Sequence, residues 1–411
     1  MARVGTAKSA YWPAADLAGS LQRSYSEPEA GAQRFSSGSA TSTSTNAALS
    51  AQYTLWDSGT RKAAVAGSQA SYEASDAAFQ ATVQDLALTV QTAFYALEGS
   101  LWNLQVADET QKQTAFHLEM AQAQHAVGLV PLSDVLQAET QDANAKLTVI
   151  QAQSDVKSGR AALAVLMGMP ADSPLEIQVA DRGEALPSLP DWQSGRERAL
   201  TILPEIREAF QSSEALRFSL RETRSSYLPA LTASGTAGLF DAGNWPDRQE
   251  WSAGLALRIP VFTGFARKYQ ILQAREAWEG SKMTLESVKL AAEKTAYDAR
   301  TQLETALQAV DAARALVKSA QENSDVAEGQ YKNGLGSMTN VVDATLALSS
   351  AKFRLVSAHL GALTALAQWN RATGQDLLEG AALPSTAVFS DDSRGGIAAP
   401  PASDPMGEPK P

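Results

Sequence analysis

Two kinds of hydrophobic spacing alternate along this chain, and each occurs twice. The first has a period of two. Trp251, Leu255, Leu257 and Ile259 fall on one side of an extended segment, and Ser252, Gly254 and Arg258 on the other. Leu231, Ala233, Gly235, Ala237 and Leu239 alternate in the same way with Thr232, Ser234 and Thr236. Upstream, Leu49, Ala51, Tyr53 and Leu55 alternate with Ser50, Gln52 and Thr54, and a weaker set, Leu17, Gly19 and Leu21, with Asp16, Ser20 and Gln22. The spacing predicts strands over about 12–24, 47–56, 228–240 and 250–262. Ser/Thr/Asn/Gly/Pro-rich stretches at 36–46 and 241–247 read as the loops between them.

The second spacing has a period of seven. Ala292, Ala299, Ala306, Ala313 and Ala320 recur at every seventh position, followed four residues later by Ala296, Leu303, Val310 and Val317. The first half has Leu86, Ala93, Ser100, Ala107 and Thr114, followed by Val90, Leu97, Leu104 and Gln111. A heptad seam with one small position lets helices approach closely. Between Gly264 and Gly329 there is no Pro and little Gly, which predicts a rod about 100 Å long at roughly 1.5 Å per residue. Long helices are expected over about 60–127 and 264–333. Glycine-bearing tips follow, and return helices over about 132–167 and 338–373, with Ser133 and Thr339 able to start them. One more helix, about 194–225, leads into the third strand. Residues 169–193 read as a linker, and 377–411 as a disordered tail rich in Pro, Gly, Ser and Asp.

These elements repeat at a fixed offset. The segment Leu55-Trp56-Asp57-Ser58-Gly59-Thr60-Arg61-Lys62 corresponds to Val261-Phe262-Thr263-Gly264-Phe265-Ala266-Arg267-Lys268, 206 positions later. Gln124 to Leu129 corresponds to Gln330 to Leu335, Ala145-Lys146 to Ala351-Lys352, and Gly168 to Gly374. Such a period is too long for a solenoid and describes a duplicated half-protein: a first repeat over 1–168 and a second over 194–376. Tyr11-Trp12-Pro13 answers Tyr227-Leu228-Pro229, but only about ten residues precede it. The first repeat is therefore expected to lack a counterpart of helix 194–225, and the functional product to extend upstream of Met1 with an export signal.

Composition narrows the function. Lys and Arg number 34 against 45 Asp and Glu, a net charge of −11, which disfavours nucleic acid as a partner. There is no Cys, so no disulfide, thiolate metal site or Cys nucleophile. His117, His125 and His359 are the only histidines and lack metal-ligand spacing; they read as partly exposed helix residues. No phosphate loop, dinucleotide turn or Ser-His-Asp order appears, so no cofactor and no enzyme activity is expected. No run of about 18 apolar residues occurs to make a spanning helix, whereas a spanning β-strand needs only about 9–11 alternating residues.

The Tyr-x-Pro before a strand, the strand ending in Pro260 to Lys268, the Val127-Gly128-Leu129 tip, and Asp134-Val135-Leu136 and Val341-Val342-Asp343-Ala344 beyond the two tips together resemble the TolC family of outer-membrane efflux channels. The resemblance covers about residues 8–376 in the family's duplicated order. It implies a mainly α fold with transmembrane β, in which three protomers each give four strands to a β-barrel of twelve. Long hairpins continue this barrel as a periplasmic α-barrel closed at its tip. It implies a passive gated duct in the outer membrane, serving an inner-membrane transporter and a periplasmic adaptor in efflux or type I secretion. By resemblance, the adaptor docks at the tips, where Val127, Gly128 and Leu129 match the family motif and Gly334-Leu335 match in part. The gate would carry an acidic ring at Asp343, with Asn340 standing at the second ring position. Tyr331 and Asp134 match a latch whose Arg is replaced here by Gly336. The competing readings are a periplasmic adaptor, which usually has one hairpin, and a coiled-coil scaffold, which leaves the alternating strands unexplained. The exported substrate is not legible, although no Met or His cluster points to metal export.

Overall fold

The computed structural model describes residues 1–26, 40–175, 177, 188–241 and 248–375. The tail expected to be disordered, much of the linker and the tips of both strand hairpins lie outside these residues. The order is α1 (Ala2–Ser9), β1 (Ala14–Ser26), β2 (Ala40–Trp56), α2 (Thr60–Ala126), α3 (Leu132–Leu166), α4 (Trp192–Ile202), α5 (Pro204–Ser225), β3 (Ala230–Asp241), β4 (Arg248–Arg258), α6 (Ala266–Lys332) and α7 (Met338–Ala372).

The four strands form one antiparallel sheet in the order β1-β2-β3-β4. Its register sorts the side chains into two faces. Leu17, Leu49, Ala237 and Trp251 lie across from one another, as do Tyr53, Ala233 and Leu255, and Leu231 and Leu257. The alternate rows are Asp16, Ser50, Thr236 and Ser252, and Gln52, Ser234 and Gly254. On that polar face the hydroxyls of Thr236 and Ser252 are 2.8 Å apart, and Ser20 donates to Asn46 Oδ1 at 2.7 Å. Among the described residues the apolar face is uncovered: Leu17 is 79% exposed and Trp251 80%. β1 and β4 are open edges within the chain.

The strand expectations change in three places. Residues 40–46 are strand rather than loop, because Thr41, Thr43 and Thr45 pair with Tyr25, Arg23 and Leu21 across the ladder, and β-branched threonine suits a pleated surface. A bulge between Thr54 and Trp56 sets Trp56, not Leu55, opposite Leu231. β4 ends at Arg258, four residues early.

The repeated sequence at the strand-to-helix junction encodes one turn used twice. Ser58 and Gly59 take left-handed φ values of 54° and 92°, and their counterparts Gly264 and Phe265 take 60° and 67°. Asp57 then accepts from the Arg61 backbone N–H at 2.8 Å, and Thr263, its counterpart, accepts from that of Arg267 at 3.4 Å. Each interaction satisfies an N–H that the first helical turn leaves without a partner.

α2 and α6 are both 67 residues long, and α3 and α7 are both 35. α2 packs with α3, and α6 with α7; α7 also lies against α2, and α5 lies against both α2 and α6. Ala296, Ala299, Leu303, Val310, Ala313 and Ala320 of the predicted seam are buried, as are Leu97, Ala107 and Thr114 of its first-half counterpart. Leu86 is not. Its counterpart Ala292 packs on the cluster that holds Ala199 and Leu203 of the second repeat, and no described element of the first repeat supplies their counterparts. The hairpins also differ in one layer. Val317, Ala320 and Leu348 form an apolar cluster, whereas the matching Gln111, Thr114 and buried Asp142 are polar, with Lys146 2.6 Å from Asp142.

The helix expected over 194–225 is two helices. Pro204 opens α5 at the position where its missing N–H costs nothing, and Leu203 is the extended residue before it. This break meets the end of α7. Arg371, in the last turn of α7, pairs with Asp85 of α2 at 2.8 Å and with Glu205 of α5. Ala199, Leu203, Leu303 and Trp369 form the core beneath it. Gly195 is needed there, since a Cβ would stand 2.4 Å from the Trp369 ring. At the start of the chain, residues 2–9 form a two-turn helix against α2, in the place where the second repeat has α5. The sequence reading gave this stretch no element. Among the described residues no helix is long and apolar enough to cross a membrane, which says nothing of a β-barrel.

Candidate pore gate and docking tips

Both hairpins end in the same cap. Gly128 and Gly334 have φ of 77° and 72°, and the next residue donates five residues back: Leu129 N–H to Gln124 O and Leu335 N–H to Gln330 O, each 2.9 Å. Only glycine takes this left-handed position at little cost, so the cap turns the chain sharply and leaves its neighbours outside. Val127, Leu129 and Leu335 are accordingly 71%, 75% and 82% exposed. The return helices start differently from expectation. Ser337, not Thr339, caps α7 by accepting from the Asn340 N–H, and α3 follows Pro131 with Ser133 already inside the helix. Thr339 instead donates to Gln137 across the hairpins at 3.3 Å.

Below the tips lies a core drawn from all four helices: Ala121 of α2, Val135 and Ala138 of α3, Tyr331 of α6, and Met338, Val341 and Val342 of α7. Tyr331 is 3% exposed, and its hydroxyl has no hydrogen-bond partner among the described residues. Burial, and secondarily the Asp134 carboxylate, push its phenol above the usual value, so it stays neutral. Asp134 is thus near enough to act on Tyr331 through its charge, but the two share no hydrogen bond. Gly336 packs closely: a Cβ there would lie 3.1 Å from Gln330 Cβ and 3.3 Å from the Tyr331 nitrogen. It offers no cation to Asp134. Asn340 and Asp343, one turn apart on α7, are both exposed and touch none of these groups through a hydrogen bond or ion pair.

One residue read as partly exposed is buried. His117 of α2 is 6% exposed, and its Nε2 lies 3.9 Å from a Glu328 carboxylate oxygen on α6. Glu328 also pairs with Lys332, whose ammonium sits over the Phe116 ring. The residue belongs to a contact between the two repeats that sequence spacing does not show. Burial lowers the His117 pKa, and Glu328 raises it by less. The folded value is thus below the usual 6.5 or so, so opening this contact takes up a proton. Stability here is expected to fall as the pH drops below about 6.5 and to level off below the folded value. The melting temperature of wild type should fall more between pH 7.5 and 5.5 than that of His117→Gln; equal shifts would refute the assignment. His125 is exposed and bonds Val130 O at 2.9 Å, and the His359 ring lies tilted beside that of Trp102, 5.2 Å between centroids. Among the described residues no group of His, Asp and Glu is arranged to hold a metal.

A sheet whose apolar face is exposed among the described residues thus sits on two duplicated hairpins with matching tips. Comparison with known proteins gives the family. The model of the outer membrane efflux protein family matches residues 1–169 and 196–375. The chain belongs to that family and, with it, to the outer membrane. It is 22% identical over 299 residues to the outer membrane protein TolC of Escherichia coli K12, covering 69% of this chain and 60% of TolC. It is 26% identical over 374 residues to the protein CyaE of Bordetella pertussis, covering 86% of this chain and 74% of CyaE. The chain thus spans about 60% of the length of TolC. Among solved structures, a membrane protein from Pseudomonas aeruginosa superposes with a TM-score of 0.75 at 20% identity, covering 91% of this chain and 87% of that one. The outer membrane protein VceC from Vibrio cholerae gives 0.73 at 19% identity, covering 90% and 89%. The fold is the duplicated TolC-like fold.

Proposed function

We propose that the chain is the outer-membrane duct of a tripartite efflux or type I secretion system. In this reading three copies form a passive gated channel, and substrate arrives from an inner-membrane transporter through a periplasmic adaptor. The observation that carries the reading is the sheet. Its open β1 and β4 edges and uncovered apolar face suit closure with further copies into a barrel that faces lipid outside and water inside. Three copies of four strands make the barrel of twelve that the family resemblance implies.

The exposed tips at Val127, Gly128 and Leu129 and at Gly334 and Leu335 are the adaptor-docking sites. Asp343 supplies the acidic ring of the gate, with Asn340 neutral at the second ring position. Tyr331 and Asp134 close the tip chiefly through packing, because Gly336 gives no ionic latch. A lost exposed ion pair removes about 1 kcal/mol or less, so a packed tip still closes but opens more readily. Reconstituted into planar bilayers, the full chain is expected to give discrete cation-selective conductance steps and to run as a trimer in detergent. A monomer without conductance would sink the proposal. The long hairpins alone also suit an adaptor, but an adaptor has no use for the amphipathic four-stranded sheet.

A further inference from the structure

The chain is acidic as a whole, at −11, yet its cations gather at one level. Residues 8–13, 57–62, 221–229 and 258–268 hold eight Lys and Arg against two carboxylates, Asp57 and Glu222. These four segments meet at one end of the sheet: β1 and β3 start there, β2 and β4 end there, and α2 and α6 leave from it. Asp57 is already taken by Arg61 at 2.9 Å. Lys8, Lys62, Arg224, Arg267 and Lys268 are exposed, and among the described residues none has a carboxylate partner. Elsewhere on the helices Lys and Arg are commonly paired, as in Lys282–Glu279, Lys289–Glu286 and Lys294–Asp298. Among the described residues, unpaired cations such as Lys157, Arg160 and Lys318 also occur along the helices, so what sets this level apart is the scarcity of carboxylates beside its cations.

Aromatic rings share the same level. Trp12, Trp56, Phe262 and Phe265 are exposed there. Arg267 lies over the Tyr227 ring at 5.4 Å, and Lys268 beside that of Tyr269 at 5.8 Å. Aromatic side chains with one apolar and one wet end collect at membrane–water boundaries, and cations just beyond that boundary are drawn to anionic headgroups. We infer that this collar is a docking surface for the anionic phospholipid headgroups of the membrane leaflet on the helix side of the barrel. The inference rests on the sheet's being a membrane barrel. Charge complementarity selects the lipid: a zwitterionic headgroup brings its own cation and gains less from an array of unpaired ones.

The collar holds the barrel at a fixed height, with its apolar face in hydrocarbon and the helix starts at the headgroups. Each cation near an anionic surface is worth about fivefold in affinity at moderate salt, and screening weakens it. The test is native mass spectrometry of the full chain after reconstitution into nanodiscs of phosphatidylethanolamine with one quarter phosphatidylglycerol. Wild type is expected to retain phosphatidylglycerol over phosphatidylethanolamine by about tenfold beyond the bulk ratio. Lys62→Gln/Arg224→Gln/Arg267→Gln/Lys268→Gln should return retention to near the bulk ratio. Lys62→Arg/Lys268→Arg should keep the preference, and the pair Lys62→Gln/Lys268→Gln should reduce it in part. An unchanged preference in the fourfold variant, or none in wild type, overturns the inference while leaving the channel intact. A chain that enters no bilayer of either composition overturns the membrane reading itself, and the inference with it.

Discussion

Replacing Asp343 with alanine is expected to lower divalent-cation block of the reconstituted pore by about tenfold or more and to raise its conductance. Asp343 is exposed near the start of α7, close to the tip, and has no hydrogen bond or ion pair among the described residues. In a trimer the three copies would set three carboxylates around one axis. A narrow passage lined by charge of one sign concentrates counter-ions by about 10-fold to 1,000-fold, so removing the ring removes most of the attraction at once. The fold should be untouched, since exposed substitutions of this kind usually stay within about 0.5 kcal/mol. The reverse change is equally informative. Asn340 is exposed one turn away, and Asn340→Asp should build a second ring and deepen the block. Unchanged block in both variants would mean that this face of α7 does not line the pore.

Leu129→Asp combined with Leu335→Asp is expected to abolish adaptor capture while the channel still assembles and conducts. Both residues are exposed beyond their glycine caps, so neither contributes to the tip core. Burying a leucine against a partner is worth about 1.5–3 kcal/mol, and the aspartates would place carboxylates in an apolar contact. With the two sites present in every copy, the combined loss should exceed a hundredfold in affinity. Gly128 and Gly334 are unsuitable for this test, because a side chain at their positive φ would damage the turn as well as the surface. Cross-linking of the cognate adaptor to the channel in intact cells measures the effect. Wild-type yield from the double variant would show that docking lies elsewhere.

Much of this architecture is readable before any coordinates. Period-seven alanines point to a helical seam, and period-two alternation flanked by Gly and Pro to an amphipathic strand, so the repeat and most of its elements follow from the sequence. Errors arose where one residue does two jobs. Thr41 to Thr45 looks like polar loop by composition, but it is strand by its β-branched pairing. Pro204 breaks a helix by the very property that lets it open the next one. His117 appears as any helix histidine until α6 is brought against it by the packing of two segments 211 positions apart, at Glu328. The same holds for the Arg371 junction, whose partners Asp85 and Glu205 come from two other helices. The tip residues are assigned through family likeness, and the closeness of the Asp134 charge to Tyr331 does not follow from spacing. Nothing in the sequence announces that the Tyr331 hydroxyl is buried without a partner.

The matched lengths of the hairpins carry a cost for the gene. With α2 and α6 equal at 67 residues, and α3 and α7 equal at 35, the two hairpins match in length and their tips meet, Thr339 reaching Gln137. One inserted residue in either long helix would turn everything beyond it by about 100° and lift it by about 1.5 Å. A seam that had faced its neighbour would then face solvent, and one tip would stand proud of the other. Single-residue insertions and deletions within these rods should therefore be as damaging as frameshifts. Substitutions on the outward faces should be tolerated, whereas the hairpins should change length only by whole heptads, in both repeats together.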